Sequence, residues 1–288
     1  MRSQIINFGF LGNPYERPEN AKKCKSGSIM EIYQNLKYCG DLGFKIYGIN
    51  ITDLPWDRFS SDPEETSNIK SLVRDKNIAL ACFLDRRYAI GSQDPLIVLE
   101  AKKRIENASH FLDSIDSDAP IVIRVGGAYG NRKKTMERFC SVLGSFDASV
   151  RDRICVMNDD RPSLFSVKDL LTDVYYATGT RIVINTLHHF FNPGGLNVRE
   201  AVYLSTSTWG TSRPIMVHSE SISYDSDGYP ESSKISKEFH FRVPIFDLSL
   251  DVFLESTGKE ISLFKYLKDK NTLRPFILNK TKEPIKDN

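Results

Sequence analysis

Short runs of apolar and β-branched residues recur along the chain, separated by longer stretches whose apolar residues return every three or four positions. The runs read as strands at Ile5–Phe10, Lys45–Ile49, Ala79–Leu84, Pro120–Val125, Ile154–Met157, Arg181–Ile184, Ile215–His218 and Leu248–Leu254. The stretches between them read as helices at Ile29–Cys39, Leu96–Leu112, Arg132–Phe146, Ser166–Tyr176 and Glu260–Leu267. Ser166 sits where a helix cap belongs, with Asp169 in the first turn. Strands alternating with helices imply parallel pairing through right-handed crossovers. Eight such units in 288 residues favour a closed α/β barrel of the (β/α)₈ TIM type over an open sheet. The barrel is expected over residues 1–268, with a charged tail at 269–288 and a polar loop at Ser219–Ser236 after the seventh strand.

Barrels of this kind place their chemistry at the carboxyl ends of the strands. The segments there are Leu84–Tyr88, Arg124–Gly127, Met157–Asp160, Asn185–His189, His218–Glu220, Glu238–His240 and Glu255. His188, His189, His218 and His240 are four of the chain's five histidines, and all fall at or just past strand ends in its second half. With Glu255 on the same face, this clustering points to a metal or phosphate site. His110 lies mid-helix and reads as a surface residue.

Composition narrows the field only slightly. The apolar fraction of 40% and charged fraction of 26% are those of a globular protein with a real core. A net charge of +2 neither demands nor excludes nucleic acid. The one basic cluster, Arg132, Lys133, Lys134 and Arg138, reads first as a solvated helix face. The five cysteines show no metal-knuckle or disulfide spacing, and Cys82 and Cys155 sit inside apolar runs. A reducing intracellular compartment is therefore expected. No apolar run reaches membrane-span length, and Pro14 and Glu16 interrupt any leader-like opening.

Taken in order, the strand ends resemble the UV-damage endonuclease family. Cys155-Val-Met-Asn-Asp-Asp-Arg161 and Phe165-Ser-Val-Lys-Asp-Leu-Leu171 are similar to its Glu-Asn-Asp-Asp…Ser-Val-x-Asp-Leu-Leu segment. Ile184-Asn-Thr-Leu-His-His189 and Asn192-Pro-Gly-Gly resemble its Asp-x-His-His-His…Asn-Pro-Gly. Thr208-Trp209 and Arg213-Pro-Ile-Met-Val-His-Ser-Glu220 resemble its Thr-Trp…Arg-Pro-Lys-x-His-Tyr-Ser-Glu. Val125-Gly-Gly-Ala-Tyr-Gly130 resembles its His-x-Gly-Gly-x-Tyr-Gly-Asp-Lys, and Ser92-Gln-Asp-Pro95 and Asp251–Glu260 fit two further segments. The resemblance runs from Leu36 to Glu260.

This resemblance implies a barrel, similar to endonuclease IV, that bends DNA and nicks it 5′ to a damaged nucleotide with a cluster of three divalent metals. Such metals polarise the phosphodiester and supply a hydroxide at neutral pH. The carry-over is uneven. The family's histidine before Gly-Gly falls on Arg124, its glutamate on Met157 and its aspartate on Asn185. Its third-strand histidine falls on Leu84, with Phe83 as the alternative, and its modified lysine on Met216. His188, His218 and Glu255 survive, and His240 is a further match, with Glu238 two residues before it. One divalent cation (Mn, Zn or Mg) is then expected, at His188/His240 or at His218/Glu255/Asn185, and a full three-metal cluster is not. Arg124 would stabilise charge on a phosphate oxygen. Arg87 and Tyr88 stand where the family wedges a Gln-Tyr pair into the duplex. The residues leave three readings open: a metal-poor endonuclease acting on DNA, a barrel that binds nucleic acid or protein without chemistry, and a sugar-type barrel enzyme.

Overall fold

The computed structural model describes residues 4–24, 28–50, 63–116, 118–221 and 235–273. Its strands are β1 Ile6–Phe10, β2 Ile46–Asn50, β3 Ala79–Phe83, β4 Ile121–Ile123, β5 Ile154–Met157, β6 Arg181–Asn185, β7 Ile215–Ser219 and β8 Leu250–Glu255. Each begins and ends within two residues of the run that the hydrophobic pattern marks. They form one parallel eight-stranded sheet in the order β1-β8-β7-β6-β5-β4-β3-β2, the expected (β/α)₈ barrel.

Alternation along the strands builds two nested cores, because successive side chains point to opposite faces. Ala81, Phe83, Val122, Cys155, Met157, Val183, Ile215, Val217 and Phe253 fill the barrel. Phe83 and Phe253 meet edge to face inside it, with ring centroids 5.3 Å apart. The intervening residues, among them Leu80, Cys82, Leu84, Ile123, Val156, Ile184, Met216 and Leu254, pack outward under the helices. Burial pushes the thiols of Cys82 and Cys155 up to about 12, so both act as small apolar fillers.

Helices Ile29–Asp41, Pro95–Ile115, Arg132–Gly144 and Lys259–Asp269 cover the sheet where periodicity places them. The helix after Ser166 is closed by a capping box with Asp169 and passes through a wider turn at Leu171–Tyr175. Helices Pro63–Lys76 and Val198–Ser207 complete the outer layer, although the hydrophobic pattern does not mark them. The first is dominated by charged residues and buries Ile69 and Val73. The second opens with a capping box of Asn197 and Glu200 and buries Val198, Ala201, Val202 and Ser205. His110 is exposed on its helix. Most of the expected 219–236 loop, and the tail beyond 273, lie outside the described residues.

The barrel closes most sparingly between β1 and β2, which meet through a single bridge, Leu11 to Gly48, and a hydrogen bond from Gly12 N–H to the Gly48 carbonyl at 2.8 Å. Two glycines permit this approach. A Cβ on Gly9 would lie 2.4 Å from the Ile46 carbonyl oxygen, and one on Gly48 2.5 Å from Leu11. At the amino end the barrel is lined by paired cations. Arg213 Nε reaches Asp251 Oδ1 at 2.5 Å, and Asn7 donates to the same oxygen at 2.9 Å. Arg153 pairs with Asp113, and Arg181 lies over the Trp209 ring at 4.8 Å. Gly9→Ala forces backbone apart at the seam and is expected to destabilise the protein by about 1–3 kcal/mol, the range for overpacking. A denaturant midpoint equal to that of the wild type would show that the seam is slack.

Candidate functional site

Two buried asparagines organise the carboxyl end of the barrel. Asn185 ends β6 and its N–H donates to Asn158 Oδ1 at 2.7 Å, while Asn158 Nδ2 returns a bond to the Asn185 carbonyl at 3.3 Å. The Asn185 side chain then branches. Its Oδ1 accepts from the N–H groups of Leu187 and His188 and so caps the short helix Thr186–Phe191. The same oxygen accepts from Ser219 Oγ at 3.2 Å, and Nδ2 donates to Glu255 Oε2 at 3.2 Å. The cap turns the chain from strand into helix without a loop, which is why His188 stands at the mouth on a helix.

His188 is fixed by that helix and by Asn158, whose carbonyl lies 2.9 Å from Nδ1. A carbonyl only accepts, so Nδ1 carries the proton and Nε2 presents its lone pair. Facing that lone pair is Arg124, just past β4, with Nη2 at 3.5 Å. Arg124 Nη1 lies 3.8 Å from Asp159 Oδ1. Burial and the adjacent guanidinium push His188 down to about 3, so the imidazole stays neutral. Burial pushes Asp159 up to about 6 against the pull of Arg124. The arginine keeps 17% of its side chain exposed, between partners that are nearly enclosed.

The seventh strand is rotated relative to the sequence expectation. Ile215, Val217 and Ser219 face the interior, whereas Met216 and His218 face outward. His218 is fully buried on that outer side. Its Nδ1 is 2.7 Å from Thr186 Oγ1, its Nε2 is 3.5 Å from Glu220 Oε1, and its ring packs on Phe239. Glu220, which the sequence marks only as the end of a strand motif, has a structural role here. It is buried and accepts from the N–H groups of His240 at 2.8 Å and Phe241 at 2.9 Å, fastening the chain ahead of β8 to the end of β7. Burial opposes its charge, but the His218 contact and these two N–H groups outweigh it and hold the carboxyl below its usual value. His240 Nδ1 also meets Glu220 Oε2, at 3.2 Å, with the imidazole largely exposed. Glu238 points to solvent and pairs with Lys265 at 2.8 Å. His189 is buried, and burial pushes it down to about 4.

These positions decide how well the donor set suits the metals that the resemblance implies. Among the described residues, no three His, Cys, Asp or Glu side chains are grouped to hold a metal ion. His188 turns its lone pair to a guanidinium and His240 joins Glu220, so the pair His188/His240 is not assembled. His218 is on the far face of β7 from Asn185 and Glu255, so that set is not assembled either. Phe83, not Leu84, is the third-strand residue that faces the interior, and the corresponding seventh-strand positions are Ile215 and Val217, not Met216 and His218. The residues present do not fit a metal cluster. Where two acceptors would share a cation, each acceptor already has a protein donor: Asn185 for Glu255, and Arg124 for His188.

The loop after β3 is also built differently from a free wedge. Tyr88 is half-buried against the core, with Arg104 over its ring at 4.3 Å and Arg87 at 5.5 Å. Arg87 is anchored by Asp85, which accepts from its N–H at 2.9 Å and its Nε at 3.2 Å. Exposed cations ring the same end of the barrel on the segments that follow β3, β4 and β5: Arg86, Arg87, Arg132, Lys133, Lys134 and Arg161.

Two outcomes follow from the buried carboxylates. Asp159 has a raised folded pKa, so its favourable contribution is complete below the unfolded value near 3.8 and lost as pH rises through about 6. Asp159→Asn removes this penalty, and its stability relative to wild type should be up to about 3 kcal/mol greater at pH 7.5 than at pH 4. A pH-independent difference in urea unfolding would refute it. Glu220→Ala removes the acceptor of two backbone N–H groups and should lose about 2–4 kcal/mol. A loss under about 0.5 kcal/mol, the range of ordinary surface changes, would mean the clamp is idle.

Among the described residues no helix is long and apolar enough to cross a membrane. The family model for UV-endonuclease UvdE matches residues 28–281. A UV DNA damage endonuclease of Clostridium perfringens is 26% identical over 238 residues, covering 80% of this chain and 55% of that protein. The chain thus spans little more than half the length of that relative. The SacUVDE crystal structure superposes with a TM-score of 0.77 at 20% identity, covering 93% of this chain and 100% of that one. Endonuclease IV from Thermus thermophilus superposes with a TM-score of 0.64 at 12% identity, covering 92% and 98% respectively. Both structures share the barrel. With its family match extending from the first outer helix past the last, the chain belongs to the UV-endonuclease UvdE family.

Proposed function

We propose that this member of the family binds DNA at a damaged site and holds the strand with fixed protein cations rather than with metal ions. The observation that carries the proposal is an arc of exposed Arg and Lys side chains around a mouth whose own polar groups pair with one another. Cations on separate loops suit a phosphate backbone, because each neutralised phosphate releases condensed counterions. The clamped Tyr88 offers a fixed platform at the rim rather than a mobile wedge. Strand cleavage 5′ to a lesion by a metal-generated hydroxide is not supported by this donor set. Such a role suits a reducing compartment that contains DNA, and the five cysteines are free thiols.

The test is fluorescence anisotropy in EDTA with two labelled duplexes, one intact and one carrying an abasic site or a pyrimidine dimer, each measured at several salt concentrations. The lesion duplex is expected to bind more tightly, with affinity falling steeply as salt rises. Replacing Arg86 and Arg161 by Ala should lower the slope of log affinity against log salt by about 1–2, from roughly 0.9 per phosphate contact. Equal affinity for both duplexes would end the lesion reading. Nicking of the damaged strand that depends on added Mn²⁺ or Zn²⁺ would restore the endonuclease reading.

A further inference from the structure

We propose that Arg124 is a tethered cation standing in for a metal ion, and that with His188 it forms a metal-independent seat for one phosphate oxyanion. Where this seat engages DNA it rests on the function proposed above. The seat itself would bind free phosphate as well.

A guanidinium extends from its Cα about as far as an imidazole together with the cation it ligates. An arginine at the position of a metal-ligating histidine therefore puts its charge near the place where the ion would sit, and does so permanently, since guanidinium keeps its proton throughout the working pH range. The surroundings agree. His188 offers Arg124 the lone pair that a metal would take, and is oriented for this by Asn158.

The guanidinium is also under-committed. It has five N–H donors, and its contacts with His188 at 3.5 Å and Asp159 at 3.8 Å are both long. It keeps access to the mouth while being mostly enclosed, where a charge-assisted bond is stronger than in open solvent. Planar donors in a fork match a phosphate's oxygens two at a time. Asp159 sets the limit on the seat. Its Oδ1 lies 3.8 Å from Arg124 Nη1 and its carboxyl is buried. That carboxylate balances Arg124 when no ligand is bound and competes with an incoming anion.

The experiment is calorimetric titration of inorganic phosphate into the full chain in EDTA, repeated with Mn²⁺ in place of EDTA, on wild type, Arg124→Gln, Arg124→Lys and Asp159→Asn. Wild type is expected to bind phosphate without added metal. Arg124→Gln should weaken binding at least tenfold and Arg124→Lys by a smaller factor, as charge is kept and the fork is lost. Asp159→Asn should strengthen binding, which a merely structural Arg124–Asp159 pair would not do. As a measurement that needs no variant, the ¹⁵N resonance of His188 Nε2 should move along the same phosphate titration. Unchanged affinity in Arg124→Gln, an absolute requirement for Mn²⁺, or a silent His188 resonance would each overturn the seat. Lesion DNA bound equally by wild type and Arg124→Gln would remove the seat and leave the DNA reading intact. Phosphate bound through Arg124 with no binding of lesion DNA would do the reverse.

Discussion

The mouth of this barrel depends on the reciprocal hydrogen bonds between Asn158 and Asn185. They lock β5 to β6 beyond the last ladder bond and leave the Asn185 amide to serve a helix cap, a serine and a glutamate at once. An amide is suited to this because it accepts on one side and donates on the other. A carboxylate there would have nothing to give Glu255. The amide at position 185 thus gives Glu255 a protein donor, and its cap on the Thr186–Phe191 helix sets His188 where Arg124 can meet it.

The fold is legible because the barrel is written in the pattern of its strands. Parallel strands buried on both faces appear as near-continuous apolar runs, and eight of them can be read off directly. The outer helices are legible less evenly. Pro63–Lys76 and Val198–Ser207 carry stripes comparable to those of the marked helices, but they are short or rich in charge and are passed over beside the stronger strand signal.

The site is legible in part, and the reason is parity. His188, Arg124, Asn185 and Glu255 are where the strand ends indicate. The motif match that assigns His218 to the interior is displaced by one residue, and on a strand a slip of one residue exchanges the two faces. Read without a gap, the segment aligns the family's lysine and histidine with Ile215 and Val217, and its tyrosine with His218. Glu220 and Asp159 lie in strand ends that the pattern marks, but their roles come from burial of a carboxylate beside a histidine or a cation, which one-dimensional spacing does not carry.

The pairing of Glu255 with Asn185 also constrains the sequences that can be reached from this one. Changing Asn185 alone to aspartate would set two acids within bonding distance and remove the proton donor between them. Removing Arg124 alone would leave a buried histidine lone pair without its donor and take from Asp159 its adjacent guanidinium. Single changes at Asn185 or at Arg124 are therefore each expected to cost stability. The polar groups of the mouth are therefore interlocked: each satisfies a neighbour, and a change at one leaves another without its partner.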